Sequence, residues 1–265
     1  MRTNRLCISL SLPSCLLLLS ATLLSAAPTP RQIDGEQQFG DLGTCQLESG
    51  KQIQHCRIGY RTFGTLNGTR SNAVLFPTYF TGRTDSLVGN VGPGKMLDPS
   101  RYFVILVDAL GDGVSSSPSN SKAQPRLAFP EFTIRDMVNS QYRLLTEVLK
   151  LKRIHAVIGI SMGGMQAFQW LVTYPTFLDV VIPIVGSPQL TSTDLLLWTS
   201  ELHAIEDDPA WRHGNYRGHP TLRAVVDIHQ FAVTTPIYRA KDPGRANFQS
   251  YLQKAETSVA FDWND

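Results

Sequence analysis

The stretch that decides the fold is Ile154-His155-Ala156-Val157-Ile158-Gly159-Ile160-Ser161-Met162-Gly163. It opens as an apolar strand-like run, and a helical pattern follows over residues 162–174 and ends before Pro175. Between a strand and a helix, Gly-x-Ser-x-Gly predicts a nucleophile elbow, a sharp turn that lifts the Ser161 hydroxyl above the sheet. The alternative is a plain glycine-rich turn, because the bare motif is common in sequences.

Three other runs are apolar on both faces and predict buried strands of a parallel sheet: residues 72–80, 102–110 and 179–185. Residues 133–149 carry apolar side chains at helical spacing and predict an amphipathic helix. Because strands alternate with helices, the order predicts a doubly wound α/β sheet. After about residue 187 the strand-like runs stop. We therefore divide the chain into a signal peptide at 1–27, a core at 28–189 and a helical cap at 190–265.

Ser161 is the predicted nucleophile, and two backbone N–H groups are the predicted donors of an oxyanion hole. One belongs to Met162, at the start of the predicted helix, and the other to Phe80, in the loop after an earlier strand. Tyr79, Phe80 and Trp198 could line an acyl pocket, although core packing is the more common role of such side chains. No metal and no other cofactor is expected.

The composition is that of a globular protein: 265 residues, 42% of them hydrophobic and 17% charged. The formal net charge is +2, and without Arg2 and Arg5 there are 22 basic and 22 acidic residues. A near-neutral chain gives no electrostatic reason to expect nucleic acid or an anionic membrane as a partner.

The N-terminus has the pattern of a secretory signal peptide. Arg2 and Arg5 precede an apolar run over residues 6–24, and Ser25-Ala26-Ala27 offers small residues for cleavage. The alternative is an uncleaved membrane anchor. We expect a secreted or periplasmic protein with no membrane contact once the signal is removed.

Two cysteines, Cys45 and Cys56, remain after the predicted leader. The residues between them have a hairpin pattern, and a two-residue loop at Gly50-Lys51 would set Cys45 opposite Cys56. We therefore predict a disulfide between them, which an oxidising compartment would preserve. Metal binding by the two thiols and His55 is the weaker alternative, because a fourth ligand is lacking.

The elbow and its continuation, Gly159-Ile160-Ser161-Met162-Gly163-Gly164-Met165-Gln166-Ala167, resemble the G-G-S-M-G-G-M-Q-A elbow of the homoserine O-acetyltransferase family of α/β-hydrolases. Similar stretches extend the resemblance from about residue 50 to the end: residues 60–67, 92–95, 98–104, 129–138, 208–211 and 214–216. The resemblance implies an α/β-hydrolase fold, with a mostly parallel doubly wound sheet and a helical cap. It also implies acyl transfer through Ser161, with a histidine as general base and an aspartate that orients the histidine.

The chain departs from the family pattern in three places. In the family the acid and base follow the last two strands, beyond the cap, whereas this sequence stops at Phe261-Asp262-Trp263-Asn264-Asp265. We therefore expect the last strands and the triad acid and base to be absent from this chain. Residues 111–119 replace the G-S-T-G-P motif of the transferases, and residues 222–227 lack the family's Ala-Arg pair. Homoserine is accordingly in doubt as the acceptor.

No residue within the sequence stands out as a substitute base or acid. His155 has the position of a structural histidine in a buried strand, and His203, His213 and His219 have the positions of surface residues in the cap. Asp108 ends a strand but has no evident partner histidine.

The expected function is that of a serine-dependent acyl-transfer enzyme, an ester hydrolase or an O-acyltransferase, acting through an acyl-Ser161 intermediate. Its partner would be a small acyl ester or acyl donor, and oligomerisation stays open. The alternative is a truncated, catalytically impaired member that binds a ligand or has no activity.

Overall fold

The computed structural model describes residues 35–216 and 222–258. The strands are β1 (Gln38–Asp41), β2 (Cys45–Gln46), β3 (Gln52–Ile53), β4 (Arg57–Phe63), β5 (Ala73–Pro77), β6 (Phe103–Val107), β7 (Ile154–Ile160) and β8 (Leu178–Ile184). Six of them form one sheet in the order β1-β4-β6-β5-β7-β8, and β2 and β3 form a separate hairpin. The pairs β6–β5, β5–β7 and β7–β8 are parallel, and β1–β4 and β4–β6 are antiparallel. The prediction of a mostly parallel α/β sheet is confirmed.

The centre of the sheet is buried as its sequence predicts. Every residue of β5 and β6 is buried, and the side chains on their two faces belong to two separate apolar clusters. Strand β8 differs, because Val180 and Ile182 keep 40% and 42% of their surface exposed. Within the described residues β8 pairs with β7 alone, so it forms an edge of the sheet. The expectation that this run is buried on both faces is therefore wrong for β8.

The helices are α1 (Thr84–Val88), α2 (Ile134–Arg143), α3 (Met162–Thr173), α4 (Ser192–Glu206), α5 (Arg223–Ala232), α6 (Pro236–Arg239) and α7 (Phe248–Ser258). A capping box fixes the start of α2, because Thr133 and Asp136 each bind the other's backbone N–H. The helix then widens into a π-helix over Leu144–Val148. Helix α3 ends at Thr173, two residues before Pro175, as the sequence predicts.

The β2–β3 hairpin carries the Cys45–Cys56 disulfide, with the two Cα atoms 5.7 Å apart. The bond is present as predicted, but the predicted register is wrong, because Cys45 pairs with Ile53 and not with Cys56. The loop is longer than two residues: the Gly50 N–H donates to Leu47, and Gly50 takes a left-handed φ of 78°. Cys56 instead follows a turn after β3 and reaches Cys45 from there.

After β8 the described residues form helices α4 to α7 and short 3₁₀ turns, here called the helical segment (residues 192–216 and 222–258). Helices α4 and α5 pack against each other, and α7 packs on α5. In the described part of the chain no helix has the length and apolarity needed to cross a membrane. The predicted signal peptide at 1–27 and the C-terminal residues 259–265 lie outside the described residues, and the boundaries predicted at residues 27 and 189 stay predictions.

Candidate active site

Ser161 lies in a sharp turn between β7 and α3. Its φ of 55° and ψ of −121° are far from the conformations that a residue with a side chain prefers. The residue is exposed, and within the described residues no group forms a hydrogen bond with its hydroxyl. Strand, strained serine and helix follow one another as a nucleophile elbow requires.

The glycines around Ser161 are needed because backbone segments approach closely. A Cβ atom on Gly159 would lie 1.9 Å from the carbonyl oxygen of Gly163, and one on Gly163 would lie 2.9 Å from the carbonyl oxygen of Pro77. A Cβ on Gly164 would lie 3.0 Å from the Cα of Gly186, in the bend after β8. Backbone atoms cannot move aside as a flexible side chain can, so side chains at these positions would force α3 away from the sheet.

The predicted oxyanion donors belong to two segments in contact. Met162 is the first residue of α3, so its N–H has no acceptor within the helix and lies at the positive end of the helix dipole. The close approach of Gly163 to Pro77 places the start of α3 against the end of β5, from which the loop bearing Phe80 departs.

The segment Thr78–Arg83, here called the oxyanion loop, contains a tight turn. The Gly82 N–H donates to the carbonyl oxygen of Tyr79 at 2.9 Å, which makes Phe80 and Thr81 the central residues. Thr81 has a φ of 64°, a left-handed value that is a clear outlier for a β-branched residue. The loop therefore holds local backbone strain at Thr81, as functional sites often do.

Buried Asp108 fixes the residue that follows this loop. Its carboxylate accepts the Thr84 N–H at 2.8 Å, the Thr84 hydroxyl at 3.1 Å and a side-chain N–H of Gln37 at 2.8 Å. The sequence indicates only that Asp108 ends a strand. In the structure it anchors a loop, and within the described residues no histidine contacts it.

The Asp112 carboxyl interacts electrostatically with that of Asp108. One oxygen of Asp112 accepts the N–H groups of Val114 and Ser115, at 2.9 and 3.0 Å. The other, Oδ2, is buried and has no donor within the described residues. Burial, followed by the negative charge of Asp108, raises the pKa of Asp112 to about 8. Near neutral pH Asp112 is therefore protonated and can donate its proton to Asp108.

The exposed ring of Phe80 connects the oxyanion loop to the helical segment. Its centroid lies 5.1 Å from the Trp198 ring in an edge-to-face arrangement and 6.0 Å from the His229 ring. His229 Nδ1 lies 3.0 Å from the carboxylate of Glu201, which is only 5% exposed. The sequence singles out Trp198 as a possible pocket residue, and the structure places it beside Phe80. The Glu201–His229 pair was missed, because a contact between two helices leaves no signal at a fixed spacing.

The other described histidines lie in other surroundings. The Nδ1 atom of His155 lies 3.5 Å from the Asp179 carboxylate, and the His155 ring stacks on the Tyr102 ring. His155 lies near the start of β7, about 20 Å from Ser161 at the strand rise per residue. Within residues 35–216 and 222–258, no histidine hydrogen-bonds Ser161, and no three His, Cys, Asp or Glu side chains gather as metal ligands would. His219 lies outside the described residues.

With this geometry in place, comparison with known proteins gives the family. The model of the α/β hydrolase fold matches residues 79–261. The chain belongs to that family.

Similar proteins are esterases and acetyltransferases. The chain is 35% identical to an ethyl acetate hydrolase of Pseudomonas veronii over 199 residues, which cover 74% of this chain and 56% of the relative. It is 37% identical to a homoserine O-acetyltransferase of Moorella thermoacetica over 200 residues, 68% of this chain and 53% of the relative. The solved acetyl esterase MekB superposes with a TM-score of 0.78 at 28% identity, covering 85% of this chain and 69% of that one. The chain spans about half the length of the curated relatives it matches.

Proposed function

We propose that the protein is a serine-dependent acyl-transfer enzyme that hydrolyses small acyl esters, acetyl esters above all. The observation that carries the proposal is Ser161 itself: an exposed serine in a strained turn at the N-terminus of α3, directly before the Met162 N–H. The esterases among the similar proteins support hydrolysis, and the homoserine O-acetyltransferases support acyl transfer more broadly.

In the proposed reaction the Ser161 Oγ attacks the carbonyl carbon of the ester and passes its proton to a general base. The carbonyl oxygen becomes an oxyanion that the backbone N–H groups of Met162 and Phe80 stabilise. The tetrahedral intermediate expels the alcohol, which takes up the proton, and leaves an acyl-Ser161. Water then attacks this ester, releases the carboxylic acid and restores the serine.

An active-site phosphonate probe tests the nucleophile. A fluorophosphonate should label the wild-type chain on the peptide that contains Ser161, as read by mass spectrometry, and Ser161→Ala should not be labelled. Ser119, which is also exposed, offers a matched control, because Ser119→Ala should be labelled as the wild type is. Labelling of Ser161→Ala at the wild-type level would contradict the proposal.

Substrate assays then distinguish hydrolysis from transfer. Purified protein is supplied with p-nitrophenyl acetate in one arm and with acetyl-coenzyme A plus homoserine in the other. Release of p-nitrophenol without acetylation of homoserine supports the proposed hydrolase, whereas acetylated homoserine would identify a transferase. Ester binding without phosphonate labelling or turnover would instead fit the impaired, ligand-binding alternative.

Export of the chain is part of the proposal and rests on the sequence of residues 1–27. A chain purified from the growth medium or periplasm of the producing cells should begin near residue 28. A chain that stays in the cytoplasm with Met1 intact would contradict export and leave the proposed chemistry unchanged.

A further inference from the structure

Two buried side-chain amides lie between α3, the helix that follows Ser161, and the oxyanion loop. They belong to Gln166 and Gln141, which are 0% and 1% exposed. The Trp170 indole N–H donates to Gln141 Oε1 at 2.8 Å, Gln141 Nε2 donates to Gln166 Oε1 at 2.5 Å, and Gln166 Nε2 donates to the carbonyl oxygen of Thr78 at 2.9 Å. Each group donates a hydrogen bond to the next, from Trp170 to Thr78. Each amide therefore has a single orientation that satisfies both of its neighbours.

The end of this chain is the first residue of the oxyanion loop. Thr78 is completely buried and its N–H donates to Val107 at 3.0 Å, while its hydroxyl accepts the Ala109 N–H at 3.0 Å. These two bonds join Thr78 to Val107, the last residue of β6, and to Ala109, two residues further on. The bond from Gln166 is different, because it joins Thr78 to α3, the helix that also carries the Met162 N–H.

Gln166 therefore connects the two segments that supply the predicted oxyanion donors. It lies one helical turn after Met162, and its Nε2 also lies 3.3 Å from the Met162 carbonyl oxygen. Two residues beyond Thr78 is Phe80, the other predicted donor. Just after the far end of the loop, Asp108 accepts the Thr84 N–H. Strain such as that of Thr81 persists only where the surroundings fix the backbone, and these two buried anchors do so.

We infer that Gln166 is a positioning residue, whose carboxamide sets the distance between the Phe80 and Met162 N–H groups by holding Thr78 to α3. The inference rests on the proposed function of Ser161 and deepens it. Gln166 touches no substrate, and its effect passes through the backbone of the oxyanion loop. An oxyanion hole needs donors fixed before reaction, and small displacements of such donors lower rates steeply.

The test compares Gln166→Met with Gln141→Met. Each variant replaces a buried amide by an apolar side chain of similar length and removes bonds of the same network, but only Gln166→Met removes the bond to Thr78. We expect Gln166→Met to lower kcat for p-nitrophenyl acetate, and the rate of phosphonate labelling, by about 10- to 100-fold with KM changed less than about threefold. Gln141→Met should keep kcat within about threefold of the wild-type value, although its melting temperature should fall by about as much as that of Gln166→Met.

Equal losses of kcat in the two variants, or an unchanged kcat in Gln166→Met, would overturn the inference. If Gln166→Met does not fold, Gln166→Leu takes its place, because it also removes the Nε2 donor to Thr78 and puts no charge into the buried network. Gln166→Leu should show the same fall in kcat, and a kcat like that of the wild type would overturn the inference.

A readout without turnover separates this inference from the proposed function. If the wild-type chain is not labelled by the phosphonate, the proposed function fails, but amide hydrogen exchange still reports the loop. Exchange of the Gly82 amide, which donates to the Tyr79 carbonyl oxygen, should rise at least about tenfold in Gln166→Met and stay within about threefold in Gln141→Met. Unchanged exchange in Gln166→Met would refute the positioning role, whatever Ser161 does.

Discussion

The backbone N–H of Ser161 donates to the carbonyl oxygen of Ile184 at 2.9 Å, one residue beyond the last pair of the β7–β8 ladder. The strained serine is therefore held by the neighbouring strand as well as by the helix that follows. Its unusual φ and ψ are a consequence of the two constraints together, and the side chain is left exposed.

Replacement of Ser161 by glycine should stabilise the fold while it abolishes acyl transfer. Glycine adopts a φ of 55° without steric penalty, and backbone strain of this kind costs about 1–3 kcal/mol, partly offset by the greater freedom of glycine in the unfolded chain. We expect Ser161→Gly to exceed Ser161→Ala in unfolding free energy by about 1 kcal/mol, measured by urea denaturation. Equal stability of the two variants would show that the turn holds no strain.

The Asp112 carboxyl should make stability depend on pH. Its pKa is raised from 3.8 to about 8 on folding, so between these values the folded chain keeps a proton that the unfolded chain has released. The retained proton adds to the free energy of unfolding. This contribution is fully present below pH 3.8, falls as the pH rises from 3.8 to about 8, and levels off above pH 8. Asp112→Asn should remove this component, because an amide N–H can donate to Asp108 at every pH.

The measurement is the melting temperature of both proteins between pH 5 and pH 9. Asp112→Asn should melt higher than the wild type at pH 9, and the difference should shrink towards pH 5. Asp85→Asn, at an exposed position in α1, is the control and should follow the wild type. If the melting temperatures of Asp112→Asn and the wild type differ by the same amount from pH 5 to pH 9, Asp112 is not the source of the pH dependence.

The disulfide should contribute strongly to stability. Cys45 and Cys56 are 11 residues apart, and closing a loop of this size in the unfolded chain stabilises a protein by about 3 kcal/mol. We expect dithiothreitol to lower the unfolding free energy of the wild type by about 2–3 kcal/mol. The double variant Cys45→Ala/Cys56→Ala should be insensitive to the reductant, and a reductant effect of equal size in that variant would refute the prediction.

Gly159 should tolerate no side chain. Its Cβ would lie 1.9 Å from a carbonyl oxygen of the elbow, so Gly159→Ala should destabilise the protein by about 3 kcal/mol or more and abolish phosphonate labelling. Gly68 has no atom within 4 Å of its would-be Cβ, and Gly68→Ala is the matched control with stability close to the wild type. A stable, labelled Gly159→Ala chain would argue against the elbow.

Trp198 allows the acyl-pocket and core-packing interpretations to be separated. The measurement is kcat/KM for p-nitrophenyl hexanoate divided by kcat/KM for p-nitrophenyl acetate. If the Trp198 ring borders an acyl pocket beside Phe80, Trp198→Ala should raise this ratio by about tenfold, because removal of the ring makes room for a longer acyl chain. If the ring only packs, the melting temperature should fall and the ratio should stay constant.

The sequence predicts the elements near Ser161 well because each has a strong local signal. The run at Ile154–Ile160 and the helix before Pro175 appear at the expected residues. The hairpin register was not predictable in the same way, since Gly50 fits loops of two or three residues and the choice depends on how the hairpin packs. Likewise, no local pattern indicates that Gln166 meets Thr78, 88 residues away in sequence, or that Glu201 meets His229.

Gly164 in α3 and Gly186 after β8 approach so closely that each excludes a Cβ atom from the other. In a library that randomises both codons and is screened for folded protein, single replacements at either position should be lost and only glycine recovered. A survivor with a larger residue would need compensating changes that move the whole helix and the turn before it. Tolerance at these two codons therefore measures how rigidly the fold fixes the position of Ser161.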